Sequence, residues 1–155
     1  MPHPTKFLAV SVRQPFASLM LAGIKRYEAR SWHPTELGWL LVHASSNFGL
    51  TKSEIAEEPL IRNAVRKARL ADDRAEWPRS AHLGAMEVIK VLTTPPKRPY
   101  SRLDALLCGD SPDCLWVIGR TITFPKPIPC KGKLNFFELD RATMTRVRKY
   151  LKDDE

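Results

Sequence analysis

The chain has 155 residues, 43% of them hydrophobic, which suits one compact domain with its own core. Lys and Arg number 25 against 17 Asp and Glu, and this net charge of +8 favours a polyanionic partner such as nucleic acid. The sequence has no apolar run long enough to span a membrane and no signal-peptide pattern at its start. We therefore expect a soluble cytoplasmic protein, or a nuclear one if the host is a eukaryote.

The N-terminal part of the sequence predicts a strand, a helix and a second strand. Lys6–Val12 mixes Phe, Leu and Val with small residues and predicts the first strand. Gln14 and Pro15 open a helix with apolar residues at helical spacing, and Gly23 is placed to end it. Arg26–Arg30 then alternates in polarity, which indicates a strand with its charged residues on one face.

The middle of the sequence predicts one buried strand followed by helices. Gly38–Ser45 is almost continuously apolar, as in a buried strand, and Thr51–Glu54 has the pattern of a helix capping box. Pro59–Ala71 predicts a further helix. One face of that helix should be basic, carrying Arg62, Arg66 and Arg69.

The C-terminal half predicts three more strands and a last basic helix. The strands are expected at His82–Thr94, Leu115–Phe124 and Leu134–Asp140, with a helical turn between the first two. Residues 141–152 predict a helix that exposes Arg146, Lys149 and Lys152.

About six strands with irregularly inserted helices favour an α+β fold. Strict alternation of strands and helices would instead indicate a doubly wound parallel sheet. We therefore predict a small mixed β-barrel with peripheral helices. It should form a single domain over residues 1–155, with a core at about 7–140 and the basic helix at about 141–152.

The sequence predicts no cofactor and no metal site. Cys108, Cys114 and Cys130 are odd in number and lack the C-x-x-C spacing of zinc ligands. Neither a P-loop nor a glycine-rich dinucleotide motif is present.

The best local candidate for a site is the cluster of Lys25, Glu28 and Arg30. If it lines a cavity, its cations could hold a phosphate or a carbonyl group, and Glu28 could orient them or accept from a base amino group. Two adjacent cations should lower the pKa of Glu28, which makes it a poor general acid. The alternative is a salt-bridged, solvated strand face, and the residues alone leave both readings open.

Two further residues are candidates for a role in binding or chemistry. His43 lies where an apolar strand meets small polar residues, so it is either a general base or a hydrogen-bonded core histidine. Trp32 directly follows the charged cluster and could stack on an unpaired base, although tryptophans more often lie in the core.

The stretch QPFASLMLAGIKRYEARSW resembles the signature of the ASCH (activating-signal-cointegrator homology) domain of the PUA-like superfamily. Its G-x-K-x-x-E-x-R core is met by Gly23, Lys25, Glu28 and Arg30. The segments GWLLVHAS, HLGAMEVIKV, CLWVIGR and PIPCKGKLNFFEL also resemble the later strands of the family, in the right order. The resemblance covers about Phe7 to Asp140.

This resemblance implies a PUA-like β-barrel with a cleft that is floored by the signature and open to RNA or DNA. The partner would be RNA or another single-stranded nucleic acid, or a modified nucleoside, bound by a monomer without a cofactor. The residues expected to make contacts are Gln14, Lys25, Glu28, Arg30, Trp32, Ser45 and Lys131.

The family's members divide between binding and catalysis. Some are nucleic-acid-binding modules, and some bacterial members are reported as ribonucleases. Small relatives hydrolyse acetylcytidine with a lysine, a threonine three residues later and a glutamate. Lys25 matches that lysine, but Glu28 takes the place of the threonine, which counts against an amidohydrolase unless Ser31, Ser45 or His43 substitutes.

We expect a binding module, with a metal-independent ribonuclease as the alternative. If the protein is an enzyme, the catalytic residues would be Lys25, Glu28 and His43. An amidohydrolase is less favoured, and a fourth interpretation is a protein-interaction domain whose cleft is vestigial.

Overall fold

The computed structural model describes residues 7–34, 37–93, 100–109, 112–133 and 136–154. Within them the strands are β1 Leu8–Gln14, β2 Tyr27–Arg30, β3 Gly38–Phe48, β4 Ala81–Leu92, β5 Cys114–Pro129 and β6 Phe136–Glu138. The helices are α1 Phe16–Leu21, α2 Lys52–Glu57, α3 Pro59–Lys67, α4 Arg102–Cys108 and α5 Arg141–Asp154, with a 3₁₀ turn at Arg74–Glu76.

The strands form one mixed sheet in the order β2-β5-β4-β3-β1-β6. Strands β1 and β3 are parallel, and the other neighbours are antiparallel. This confirms the α+β class. The predicted small mixed β-barrel is confirmed only in part: the sheet is mixed, but it does not close, because β2 and β6 remain edges of the sheet in the described part of the chain.

The open sheet is nevertheless strongly curled. The Arg30 Nη2 atom on β2 donates a hydrogen bond of 2.7 Å to the Ser11 carbonyl on β1. In a flat sheet these two strands, four positions apart, would be separated by roughly 19 Å at about 4.8 Å per strand. A side chain therefore spans the place where a barrel would close through backbone hydrogen bonds, and we call this place the β1–β2 gap.

The local predictions hold at several element ends and fail at others, including the end of α3 and the end of β5, which runs to Pro129 instead of Phe124. The capping box at the start of α2 is confirmed, because Thr51 Oγ1 accepts from the Glu54 N–H and Glu54 Oε1 from the Thr51 N–H, each at 3.1 Å. Gly23 has a φ of +77°, just beyond α1. The predicted end of α3 at Ala71 is wrong, because the helix ends at Lys67 and Arg69 takes a φ of 59°.

The hydrophobic core forms two main layers that involve different helices. One layer contains buried residues of α1, including Met20, together with Val10, Val42 and Trp116 of the sheet. The other is covered by α5, whose Val147 and Leu151 side chains are buried with strand residues. No helix in the described part of the chain is long and apolar enough to cross a membrane.

Candidate functional site

The signature residues meet in a buried ion cluster at the junction of α1 and β2. Lys25 is only 2% exposed, and its Nζ donates to the Tyr27 carbonyl and, at 3.1 Å, to Glu28 Oε1. The same ammonium group lies 5.6 Å from the centre of the Phe16 ring. The predicted cluster therefore exists, but Lys25 points into the protein and anchors Glu28 rather than facing solvent.

Arg30 holds the other side of the same carboxylate. Its Nε and Nη2 atoms donate to Glu28 Oε2 at 3.0 and 2.9 Å, and Nη2 also donates to the Ser11 carbonyl. The Arg30 side chain is 23% exposed, whereas the Glu28 side chain is 7% exposed. The solvated strand face that the sequence left open is therefore excluded for Glu28.

Glu28 stays ionised despite its burial. Burial alone raises its pKa, but the charges and hydrogen bonds of Lys25 and Arg30 outweigh this effect and bring the pKa below its usual value. A carboxylate offers about four acceptor positions, and the described residues supply three donors to them. One position is left for a further donor.

The ion cluster forms part of the wall of a cavity of about 300 Å³, which we call the first cavity. It is lined by Ser11, Val12, Arg13, Phe16, Glu28, Ala29, Arg30, Leu107 and Cys108. Because its walls come from both β1 and β2, the cavity lies in the β1–β2 gap. Arg13 is exposed and adds a second positive charge beside Arg30.

A second cavity of about 330 Å³ adjoins the first at Ser11. It is polar and basic, and is lined by Ser11, His43, Ser45, Ser46, Asn47, Ser80, Lys131, Gly132 and Lys133. Three of the predicted site residues, His43, Ser45 and Lys131, therefore line a different cavity from Glu28 and Arg30.

His43 is buried in the wall of the second cavity with both ring nitrogens engaged. Its Nε2 lies against the Cys130 carbonyl, which can only accept, so Nε2 carries a proton. Burial lowers the pKa of His43, only partly offset by this hydrogen bond, so the ring is neutral at pH 7. Its Nδ1 is then an acceptor, and the Ser11 hydroxyl, 2.9 Å away, donates to it.

Two other predicted contact residues, Gln14 and Trp32, are packed against other residues of the fold. Gln14 is fully buried, its amide donating to Ser18 Oγ and the Pro78 carbonyl and accepting from the Ser18 N–H. Trp32 packs edge-on against Trp116 with 5.0 Å between ring centres. Neither residue lines either cavity.

The two predicted basic helix faces lie apart from the signature. Arg62 and Arg66 line a separate cavity of about 470 Å³ beside α2 and α3, which contains no signature residue. Arg69 lies beyond the end of α3 and is not on that face. On α5, Arg146 and Lys149 are exposed, and the side chain of Lys152 lies outside the described part of the structure.

The described residues offer no metal site. They contain no group of three His, Cys, Asp or Glu residues that could hold a metal ion. The three cysteines are free thiols, and Cys114 is buried.

Sequence reasoning missed Ser11, Arg13, Gly132 and Lys133 as lining residues. Ser11 and Arg13 alternate with the buried Val10 and Val12, so strand alternation would have placed both on one side of β1. No sequence signal indicates that Gly132 and Lys133 lie beside them, because the loop that carries them is distant in the chain.

Comparison with known proteins supports the family suggested by the signature. A search of curated proteins finds no match to this chain. The family model of the ASCH domain matches residues 10–124, which include the ion cluster, His43 and most of the sheet. Because the match covers well over half of the sequence, the chain belongs to the ASCH domain family.

Proposed function

We propose that the protein binds RNA, with a nucleobase in the first cavity and phosphate groups along its basic rim. The observation that carries this proposal is the arrangement of Glu28 and Arg30 on the cavity wall. Glu28 keeps one acceptor position, and its lowered pKa keeps it an acceptor at neutral pH. It can therefore accept from the exocyclic amino group of a base.

Arg30 supplies the complementary donors. Its Nε and Nη2 groups are bound to Glu28 and Ser11, and its Nη1 has no hydrogen-bond partner among the described residues. A guanidinium carries five N–H donors, so two remain for a base carbonyl or a phosphate. Acceptor and donors side by side suit the edge of a base that carries both an amino and a carbonyl group.

The size and charge of the surroundings support a single nucleotide unit at this site. Ligand sites span roughly 300–1,000 Å³, and the first cavity, at about 300 Å³, lies at the small end of that range. Arg13 at the rim and the net charge of +8 favour phosphate. The preference for RNA over DNA rests on the family resemblance.

The test is fluorescence anisotropy with labelled single-stranded RNA and the matching DNA, in EDTA and at several salt concentrations. Arg30→Ala removes the free donors and loosens Glu28. We expect affinity to fall roughly 5- to 100-fold, as for the loss of one specific base contact, and the salt slope to fall by about one.

Arg120→Ala is the control, because Arg120 is another arginine paired with a glutamate, Glu87, but it does not line the first cavity. Equal losses of affinity in the two variants would indicate that only nonspecific positive charge contributes to binding, and would overturn the role of the first cavity. Absence of binding to both nucleic acids would overturn the proposal as a whole and favour a protein-interaction domain.

A metal-independent ribonuclease is the second candidate, and the second cavity favours it. Cleavage through the 2′-hydroxyl needs a base and a cation near the phosphate. His43 is neutral there and shares the cavity with Lys131 and Lys133, whereas Lys25 does not line it. Cleavage of RNA but not DNA in EDTA, lost in His43→Gln and in Lys131→Ala, would establish this activity.

The amidohydrolase interpretation finds no support at the signature. Lys25 is buried in an ion pair with Glu28, the residue that stands at the threonine position. A lysine held in this way has no access to a substrate through the first cavity, which it does not line.

A further inference from the structure

We propose that Ser11 and His43 form a nucleophile–base pair that can hydrolyse carboxylic esters of anionic molecules bound in the second cavity. The inference goes beyond nucleic-acid binding and does not depend on it, because it concerns a different cavity. It rests on the geometry of the pair, on its position between the cavities and on the charge around it.

The hydrogen-bond pattern is that of an activated serine. A serine nucleophile needs a neutral imidazole nitrogen as acceptor and a third group that orients the ring through its other nitrogen. Here Ser11 Oγ lies 2.9 Å from His43 Nδ1, and the Cys130 carbonyl holds the Nε2 proton. The carbonyl therefore selects the tautomer in which Nδ1 can take the serine proton.

Ser11 is placed where a substrate could reach it. It is half-buried and lines both cavities, whereas His43 is almost wholly buried behind it. This is the order that the chemistry needs, with the nucleophile in front and the base shielded from water.

The loop that contains Gly132 packs closely against Ser11 and His43. A Cβ atom on Gly132 would lie 2.5 Å from Ser11 Oγ and 2.7 Å from His43 Nδ1, so only glycine fits without displacing them. Lys131 and Lys133 flank this glycine and both line the second cavity. They bring positive charge to the place where an oxyanion would form and where an anionic substrate would bind.

A second histidine, His82, packs against the proposed base and is itself uncharged at neutral pH. His82 packs edge-on against His43 with 5.0 Å between ring centres, and it is fully buried. Burial, with a smaller effect of His43, lowers the pKa of His82 to about 4, and Asp140 only partly opposes this. His82 is therefore neutral at pH 7 and places no second cation beside the imidazolium that forms on His43.

The reaction balances without a metal or an oxidant. Ser11 Oγ forms a bond to the acyl carbon while His43 Nδ1 takes the hydroxyl proton. The bond to the leaving alcohol oxygen then breaks, and Nδ1–H gives the proton to that oxygen. Water attacks the acyl-serine, Nδ1 takes a proton from this water, the acyl–Oγ bond breaks, and Nδ1–H returns the proton to Ser11. The products are a carboxylic acid and an alcohol.

The first experiment is labelling with a fluorophosphonate, followed by intact-mass and peptide mass spectrometry. We expect one adduct on Ser11 in the wild-type protein, none at this position in Ser11→Ala, and full labelling of Ser11 in Ser53→Ala. Ser53 is the control because it is an exposed serine that lines neither cavity. No adduct on Ser11 in the folded wild-type protein overturns the proposal.

The second experiment measures hydrolysis of mono-4-nitrophenyl glutarate, which carries a carboxylate, and of neutral 4-nitrophenyl acetate. A base at the nucleophile contributes about 100- to 10,000-fold, so Ser11→Ala should lose at least about 100-fold of the rate above buffer. His43→Gln should do the same. Lys131→Ala should lower the rate with the anionic ester more than the rate with the neutral ester.

The outcomes separate this inference from RNA binding. A rate that persists in Ser11→Ala, with circular dichroism showing a folded protein, overturns the pair as the catalyst. Hydrolysis that is lost in Ser11→Ala, in a protein that binds no RNA, would support this inference and overturn the proposed function alone. Failure of hydrolysis with intact RNA binding would refute this inference alone.

Discussion

Acidification should destabilise the protein through His82 in a pH range where carboxylates contribute little. The side chain of His82 is 0% exposed, and neither ring nitrogen has a hydrogen-bond partner among the described residues. Its pKa falls from 6.5 to about 4 on folding, mainly because burial disfavours the charged ring. The unfolded chain therefore binds this proton more readily than the folded one.

The magnitude follows from the size of this shift. A difference of about 2.5 pKa units, at about 1.36 kcal/mol per unit, gives about 3 kcal/mol. This free energy is the part of the stability that depends on a neutral His82. It is fully present above pH 6.5 and is lost as the pH falls toward 4. Most of it, about 2–3 kcal/mol, should be gone at pH 4.5. The pKa of His43 is also lowered and adds to the loss with the same sign.

The assay is urea denaturation followed by circular dichroism at pH 7.5, 6.5, 5.5 and 4.5. His82→Leu should flatten the dependence of the free energy of unfolding on pH. His33→Leu, which changes an exposed histidine, should leave it as in the wild type. If wild type and His82→Leu lose the same free energy between pH 6.5 and 4.5, the reasoning about the buried ring is refuted.

Three further substitutions test the buried ion pair, the cap of α2 and the packing of Gly132. Lys25→Met removes one partner of the buried Glu28 and should lower the free energy of unfolding, measured by urea denaturation, by about 3 kcal/mol. The same substitution should lower it clearly less in a Glu28→Gln background, and equal losses in the two backgrounds would contradict a coupled pair. Thr51→Ala removes the cap of α2 and should cost about 1 kcal/mol in the same assay. Gly132→Ala places a Cβ atom against Ser11 and should lower the free energy of unfolding by about 1–3 kcal/mol, which is measured as a lower melting temperature. An unchanged melting temperature would show that the loop moves aside without cost.

The sequence predicted the local elements of this fold well, because their causes are local. The capping box at Thr51 needs only a hydroxyl and a carboxylate three residues apart, and the alternation in β2 places its charges on one face. Helix α3 was predicted too long because nothing in its pattern shows that Arg69 turns to a positive φ.

The candidate site was predictable where it is made by one segment and not where segments meet. Lys25, Glu28 and Arg30 stand within six residues, so their proximity could be read directly. The separation of His43 from them into a second cavity depends on the curl of the sheet and on a loop 87 residues further along the chain. Tertiary geometry of this kind has no local signal, and the burial of Gln14 was not predictable for the same reason.

The failure of the barrel to close and the existence of the first cavity have one cause. If β2 paired with β1 through backbone hydrogen bonds, the two strands would lie about 4.8 Å apart and no space would remain between them. The Arg30 guanidinium instead bridges them from Glu28 to the Ser11 carbonyl and holds the β1–β2 gap open. Glu28 must be ionised to hold Arg30 in this position, and the charge of Lys25 helps to lower the pKa of Glu28. The buried ion cluster is therefore part of the architecture as well as the wall of the site, so binding and stability should change together when it is altered.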